Sequence, residues 1–358
     1  MTDTNNRFIQ LHLLTSYPPA NLNRDDMGRP KTAKMGGVDR LRVSSQSLKR
    51  HWRTSELFQS ALADHLGCRT KMLGIKVYEQ MLAGGISETK AKKWAQALAA
   101  VFGKLKATKK DKPLEDLEIE QLVHISPLEQ QALNSLTATL ITEQREPETA
   151  ELALLRKDNQ AADIAMFGRM LASSPAFNTE AACQVAHAIS VHPVVIEDDY
   201  FTAVDDLNDG NEDAGAAHIG ETGFAAGLFY SYICINRELL VKNLAGDEAL
   251  ARKTIAALTE ATLKVAPSGK QNSFGSRAYA SYALAEIGDE QPRSLSAAFL
   301  KPIDQHSSQD YARDAIKALC QQRDNFDAVY GPCYAGYQAL NVVDGTGSLA
   351  ALLAFVSE

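Results

Sequence analysis

The spacing of hydrophobic positions predicts a mixture of strands and helices along the whole chain. Alternation of apolar and polar residues predicts strands at 7–15 and 40–43. A helix is predicted from Gln46 onward, because Ser44 and the following serine supply capping hydroxyls and apolar anchors recur through Leu62. The long connection before the second strand contains several Pro and Gly residues and is predicted to be a functional or mobile loop.

The next block of about ninety residues is predicted to be helical throughout, with no strand pattern. Its candidate helices are 71–82, 88–105, 128–144 and 148–157. Because this block interrupts a chain that contains strands, we interpret it as an inserted helical subdomain. Its lysine-rich turn, 104–112, is either a solvated loop or a contact with a nucleic-acid backbone.

Beyond residue 160 the pattern predicts both element types again. Predicted strands are 164–171, 194–203, 224–235, 277–287 and 295–303, and predicted helices are 179–192, 247–265 and 309–330. The second and third of these strands flank a Gly-containing turn and predict a long, projecting β-hairpin. The order of elements suits an α+β sheet with helices on one face better than a doubly wound parallel sheet.

The composition is that of a globular protein, with 45% hydrophobic residues, a formal net charge of −7 and a pI near 5.7. This acidity argues against nucleic-acid binding over the whole surface but allows a focused basic groove. Five cysteines without a CxxC pair favour a reduced, cytoplasmic protein over a disulfide framework or zinc ribbon. No apolar run has the length of a signal peptide or membrane span, so no membrane partner is expected.

Positive charge is concentrated between residues 23 and 53, where nine Lys/Arg residues face three Asp residues. Gln46, Lys49, Arg50 and Arg53 fall at i, i+3, i+4 and i+7 of the predicted helix and share one face. Cations near a helix start have the wrong sign for the helix dipole, which favours an external phosphate there. The alternative is a solvated basic helix start.

Several motifs occur in one order along residues 8 to about 285. They are FIQLHLL (8–14), NLNRDDM (21–27), GG (36–37), RVSSQSLKR (42–50), GRM (168–170), AHAI (186–189), FTAVDDL (201–207) and GKQ (269–271). Through them the chain resembles the backbone subunit of the type I-E CRISPR Cascade complex, the CasC-like family. The region between about 67 and 160 and the C-terminal tail resemble that family in position and kind, without shared motifs.

The resemblance implies a modified RNA-recognition-motif (ferredoxin-like) palm formed by 1–66 and 161–358, an inserted helical subdomain at 67–160 and a β-hairpin thumb at 194–224. It implies a non-enzymatic, cytoplasmic subunit that polymerises along CRISPR guide RNA as a helical filament, with further copies of itself and other Cascade subunits. Bases would stay free to pair with target DNA in antiviral defence. No cofactor and no metal are expected.

The basic stretch and the resemblance together assign a set of RNA-binding residues. Met170 is expected to insert as an apolar wedge where the RNA is kinked, with Thr202 on the thumb beside it. The alternatives are a core methionine at 170 and an ordinary surface lysine at 270. The full set is Arg24, Lys31, Ser44, Gln46, Lys49, Arg50, Arg53, Arg169, Met170, Thr202 and Lys270.

A rival interpretation is a metal-dependent nuclease acting on RNA or DNA. Asp25–Asp26 and Asp205–Asp206 are paired carboxylates of the kind that two-metal nucleases use. The acidic run 205–213 fails the spacing of a calcium loop, and no nucleophile–base or zinc motif occurs. A small-molecule enzyme unrelated to RNA is a third class, which absent RNA co-purification would reveal.

The segment between Arg169 and Arg237 has no Lys or Arg and carries ten acids. Such a one-sided segment cannot itself attract phosphate. We expect its acids to meet the basic surface of the next copy, so that assembly is salt-sensitive.

Overall fold

The computed structural model describes residues 6–108, 111–157, 160–203, 218–304 and 308–358. The strands are β1 (Phe8–Ala20), β2 (Thr32–Met35), β3 (Val38–Val43), β4 (Cys68–Thr70), β5 (Val123–Ile125), β6 (Cys183–Val185), β7 (Ala188–Ser190), β8 (Glu197–Ala203), β9 (His218–Asn236), β10 (Ala280–Gly288) and β11 (Gly336–Asn341). The helices are α1 (Ser45–Arg53), α2 (Glu56–Leu62), α3 (Leu73–Ala83), α4 (Glu88–Ala100), α5 (Pro127–Glu143), α6 (Ala162–Phe167), α7 (Arg237–Asn243), α8 (Glu248–Lys264), α9 (Gln271–Phe274), α10 (Tyr311–Tyr330) and α11 (Leu349–Ser357).

The chain divides into two compact units, each formed by separate segments. The first unit comprises Met1–Phe58, Val185–Cys234 and Ile255–Glu358, and the second comprises Gln59–Gln184 and Ile235–Thr254. No helix in the described ranges is long and apolar enough to cross a bilayer.

The first unit is built on a sheet with the strand order β11-β10-β1-β9-β7-β3-β2, and β8 pairs with β9. The pairs β1–β10, β10–β11, β2–β3, β3–β7, β7–β9 and β8–β9 are antiparallel. An antiparallel sheet in a chain of mixed helices and strands confirms the α+β class. The predicted strand at 7–15 is confirmed as β1, although consecutive residues from Phe8 to Thr15 are buried, so both of its faces are covered there.

A buried charge cluster in this unit forms around Glu286 of β10. Glu286 is fully buried, and its carboxylate accepts from Arg293 Nη1 at 2.7 Å and from Arg323 Nε at 2.8 Å. The Arg323 guanidinium lies 3.9 Å from the ring centroid of Tyr337. Burial alone would raise the pKa of Glu286, but the neighbouring His12 and Arg293 lower it to about 2. The ionised carboxylate therefore holds two cationic side chains inside the fold.

The second unit has its own hydrophobic core, formed by one face each of α3, α4 and α5 together with β5. Val77 and Met81 of α3, Trp94 and Leu98 of α4 and Leu133 of α5 belong to one buried cluster. The predicted helices at 71–82, 88–105 and 128–144 are confirmed within a few residues. The wholly helical prediction is wrong, because β4 and β5 pair antiparallel, and 148–157 holds only a 3₁₀ turn at Thr149–Leu152.

Two predictions chose the wrong element type for short apolar segments. The predicted strand 164–171 overlaps helix α6, and the predicted helix 179–192 contains strands β6 and β7. Residues 161–166 are all buried and Asp163 is the one polar residue among them, so no alternation of apolar and polar positions reveals the helical period. In the second segment, pairing of β7 with β3 and β9 overrides the helical preference of its alanines.

Of the predictions for the later part of the chain, one strand is wrong and the other elements are confirmed. The prediction at 277–287 is confirmed by β10, whereas 295–303 holds a 3₁₀ turn at Ser296–Phe299 and no strand. The predicted helices 247–265 and 309–330 are confirmed by α8 and α10. The C-terminal tail, for which the sequence gives no clear pattern, contains β11 and α11.

Candidate nucleic-acid interface

Three side chains fix the start of α1 in the first unit. Ser44 Oγ accepts from Ser47 N at 3.3 Å, which confirms the predicted N-cap. Asn23 Oδ1 accepts from Ser44 N, and His187 Nδ1 accepts from Ser45 N, each at 2.9 Å. These two residues were not predicted as site residues, although both lie in motifs of the family resemblance. They hold the basic loop and β7 against the helix start.

Helix α1 ends at Arg53, whereas the sequence predicted one helix with apolar anchors through Leu62. The Thr54 hydroxyl donates to Arg50 O, and the Ser55 hydroxyl donates to a second carbonyl of the last turn, both at 2.8 Å. Arg50 and Arg53 therefore lie in the last turn, where the helix dipole favours cations. The charges of Arg50 and Arg53 therefore do not indicate an external phosphate. The prediction from cations near a helix start is wrong for these two residues.

Positive charge does converge around His187. Burial lowers the pKa of His187 first, and the charges of Arg42, Lys31 and Lys49 lower it further. Within the described residues, neither Lys31 nor Lys49 has a carboxylate partner. Two lysines that share a small surface without a counter-ion form a favourable place for a phosphate. Gln46 is exposed on the same helix.

An open cavity of about 620 Å³ lies next to this surface in the first unit. It is lined by residues 22–26 and 28, by Ser47 and His51 of α1, and by the loop 268–270. The exposed Arg24 lies on its wall and has no carboxylate partner in the described ranges. The cavity thus joins the basic loop, the helix and a second loop that the sequence places more than 200 residues away.

Lys270 enters the cavity wall from a strained backbone position. Its φ is +47°, in the left-handed region that non-glycine residues rarely adopt. Its Nζ donates to Thr222 Oγ1 at 2.6 Å, which fixes the ammonium beside β9. Strain of this kind costs on the order of 1–3 kcal/mol and is common at functional sites.

The loop that carries Lys270 approaches the basic loop very closely at Gly269. A Cβ at this position would lie 2.3 Å from Leu22 O and 2.7 Å from Asn21 O. We therefore expect Gly269→Ala to push the two loops apart, to weaken RNA binding about tenfold and to lower the thermal unfolding midpoint, because both close atoms belong to the backbone. Filter binding and a melting curve check this. Gly74→Ala is the matched control, because its Cβ would lie 2.4 Å from Leu117 O in the second unit, so it should lower the midpoint without the tenfold loss of RNA binding.

Other cations of the basic stretch are already engaged inside the protein. Arg40 is fully buried and donates to Ser190 O at 2.8 Å and Phe299 O at 2.9 Å, and burial lowers its pKa. Lys34 pairs with Asp39 at 3.1 Å. Arg29 pairs with Asp198 at the start of β8. The charge count of the stretch therefore overstates what is available to a ligand.

The second unit holds the predicted residues Arg169 and Met170, which have very different environments. Arg169 is buried, its Nη1 donates to Glu129 at 2.6 Å, and its Nη2 donates to two backbone carbonyls at 3.1 Å. Its guanidinium thus acts within the unit. Met170 is 74% exposed, so placement in the core is wrong. It lies at a cleft of about 270 Å³ lined by 102–104, 119–123 and 170–173.

Thr202 is exposed on β8, where it pairs in register with Ile219 of β9. The antiparallel pairing of these strands agrees with a hairpin at this position. The acidic run 205–213 lies outside the described residues, and so do Asp205–Asp206 of the nuclease interpretation.

In the Asp25–Asp26 pair, Asp25 has a structural role in the basic loop. Asp25 Oδ1 accepts from Met27 N at 3.0 Å and from Arg29 N at 2.9 Å, so it closes the loop around Gly28. In the part of the chain that the structure describes, no group of three or more His, Cys, Asp or Glu side chains is placed to hold a metal ion.

The fold and its surface define an α+β protein with a candidate site for a phosphate-bearing ligand. The sequence profile of the CT1975-like protein family matches residues 9–350. The chain belongs to this family. No curated protein sequence matched it.

Two solved structures are similar to this chain over nearly its whole length. A chain from a "CRISPR RNA-guided surveillance complex, pre-nicking" shares 27% identity, with a TM-score of 0.83 over 98% of this chain and 99% of that chain. A chain from a "CRISPR RNA-guided surveillance complex" shares 26% identity, with a TM-score of 0.60 over 96% and 92%. With the family match, these similarities confirm the resemblance to a Cascade subunit.

Proposed function

We propose that this protein is a non-catalytic, guide-RNA-binding subunit of a type I-E Cascade surveillance complex. It binds phosphates and sugars of CRISPR RNA and leaves the bases free to pair with target DNA. The observation that carries the proposal is the convergence of Lys31 and Lys49 around His187, with exposed Arg24 in the same basic loop. None of the three pairs with a carboxylate of the described residues, and the chain is similar to subunits of RNA-guided complexes.

The proposed RNA contacts follow from how each predicted residue is placed. Lys31, Lys49, Arg24 and Lys270 neutralise phosphates, and Gln46 hydrogen-bonds the backbone of the RNA. Ser44 acts through its cap of α1. Exposed Arg50 and half-buried Arg53 extend the basic surface along the helix. Arg169 supports the segment that carries Met170 through its buried pair with Glu129.

We assign the palm and thumb of the family from the strand pairing in the first unit. The sheet of the first unit is the modified RNA-recognition-motif palm, 67–160 is the inserted subdomain, and β8 with the start of β9 forms the thumb. The antiparallel pairs from Glu197↔Phe224 to Ala203↔His218 support the thumb assignment. The domain boundaries predicted from the sequence stay a proposal.

In the complex, successive copies lie head to tail along the RNA and other Cascade subunits bind at the ends. A repeated contact of this kind that does not close gives a helical filament. The acidic residues near the thumb meet the basic surface of the next copy. Asp198 has a local partner, Arg29 at 3.0 Å, so the other acids of the segment between Arg169 and Arg237 supply that contact.

The proposal is tested by purifying the protein with and without a guide RNA, sizing it, and extracting any bound nucleic acid. We expect RNA to co-purify and to shift the protein into assemblies larger than a monomer. Incubation of the same samples with RNA and DNA, with and without magnesium or manganese, should leave both intact. Absence of bound RNA contradicts the proposal, and cleavage that Asp25→Ala or Asp205→Ala abolishes would identify a nuclease instead.

Met170→Ala provides a separate test of the apolar wedge. Because this side chain is 74% exposed at the edge of a cleft, its removal should cost little stability. We expect reduced kinking of bound RNA, seen as reduced reactivity of the kinked nucleotides toward a base-modifying reagent, with affinity lowered less than threefold. The exposed Leu114→Ala in the same unit is the matched control. An unchanged reactivity pattern in Met170→Ala counts against the wedge.

A further inference from the structure

The cavity of the first unit contains hydrogen-bond acceptors as well as cations. Asp26 lies on its wall, is exposed, and its carboxylate makes no hydrogen bond or ion pair with any side chain or backbone group that the structure describes. A free carboxylate beside a phosphate site repels the phosphate. Such a group is tolerated only where it is solvated or where the ligand brings a donor to it.

A second acceptor follows from the hydrogen bonds of His51. Its Nδ1 lies 2.7 Å from Ser47 O, a carbonyl that can only accept, so Nδ1 carries the proton. In the neutral ring, Nε2 is then an acceptor, and the Ser268 hydroxyl at 2.8 Å must donate to it. The Ser268 oxygen consequently presents only lone pairs to a ligand in the cavity.

The position of Asp26 is fixed by the turn around it. Asp25 Oδ1 accepts from Met27 N and Arg29 N, and Asn21 Nδ2 donates to Gly28 O at 2.9 Å. Asn21 is fully buried and also donates to Gly223 O at 2.9 Å, which ties the turn to β9. Asp26 is therefore carried by a hydrogen-bonded turn and lines the same cavity as Ser268 and Lys270.

The chemistry of a nucleic-acid backbone limits what these acceptors can bind. Phosphate and ring oxygens only accept hydrogen bonds, and the ribose 2′-hydroxyl is the donor that RNA has and DNA lacks. If the bases stay free for pairing, the backbone offers Asp26 and Ser268 no other donor. We propose that this cavity recognises the ribose 2′-hydroxyl, with Asp26 as the residue that selects RNA over DNA while Arg24 and Lys270 hold the adjacent phosphates.

This inference rests on the proposed RNA binding, but its test separates the two. The affinities of the full-length protein are compared for one sequence made as RNA, as DNA and as 2′-fluoro RNA, which keeps an RNA-like sugar pucker without the donor. We expect wild-type protein to bind RNA about tenfold or more tighter than both other strands, the size of one hydrogen bond to a charged group. Failure to bind RNA contradicts the proposed function, whereas equal binding of RNA and 2′-fluoro RNA overturns only this inference.

Asp26→Ala provides the decisive variant. It should reduce the ratio of RNA to DNA affinity about tenfold and leave DNA binding unchanged or stronger, because a repulsive charge is removed. Misfolding would instead weaken binding to both strands, which a circular dichroism spectrum also reveals. Asp39→Ala is the matched control, since this exposed carboxylate lies in the same stretch, pairs with Lys34 and does not line the cavity. An unchanged ratio in Asp26→Ala, or an equal loss of ratio in Asp39→Ala, overturns the assignment.

Discussion

Glu286→Gln is expected to lower the free energy of unfolding by about 3–5 kcal/mol, the usual result of removing one member of a buried ion cluster. Arg323 loses the one carboxylate that it contacts among the described residues, at 2.8 Å, and stays largely buried. Arg293 keeps Asp327 at 3.0 Å, so it is partly compensated. Since whole domains are stable by about 5–15 kcal/mol, a loss of this size is a large share of the total.

Urea unfolding measures this change, and the midpoint should fall while the dependence on denaturant stays the same. Glu146→Gln is the control, because it removes a carboxylate from an exposed pair with Lys93 at 2.7 Å. Exposed pairs in water contribute little to stability, so this variant should hardly move the midpoint. Equal small shifts in both variants would show that the cluster does not stabilise the fold through its charges.

The contrast between these two ion pairs shows what sequence patterns can and cannot predict. The cap at Ser44, strand β1 and helix α10 depend on neighbouring residues, so local patterns predict them. The charge cluster combines Glu286 with an arginine 37 residues further along the chain and depends on tertiary packing. Nothing in the local sequence indicates that these residues meet.

In the candidate site, too, the sequence predicts the surroundings of some residues and not of others. Arg24, Lys31 and Lys49 were predicted because they lie in one basic stretch, and the structure leaves them accessible. Arg40 belongs to the same stretch, but backbone carbonyls surround its guanidinium and remove it from the surface. A charge count along the sequence cannot distinguish these two environments. His187 caps α1 from 142 positions away, and only its family motif indicated a role.

In the proposed function, Lys31 and Lys49 are the residues that we expect to contribute most to RNA binding. We expect the double change Lys31→Ala and Lys49→Ala to weaken RNA binding about tenfold or more at low salt, since two phosphates lose charged partners. For single-stranded nucleic acids, each phosphate contact contributes about 0.7 to the slope of log affinity against log salt concentration. Removal of two contacts should therefore make this slope shallower by about 1.4. Filter binding across a salt series, with two unrelated guide sequences, measures both quantities.

The matched control removes two lysines that already have carboxylate partners. Lys34 pairs with Asp39 at 3.1 Å and Lys93 pairs with Glu146 at 2.7 Å, and both lysines are more than 70% exposed. Lys34→Ala with Lys93→Ala changes the net charge by the same amount, yet it should leave the slope nearly unchanged. Equal losses in the two double variants would mean that net charge governs binding, and a loss confined to one guide sequence would contradict recognition through the RNA backbone.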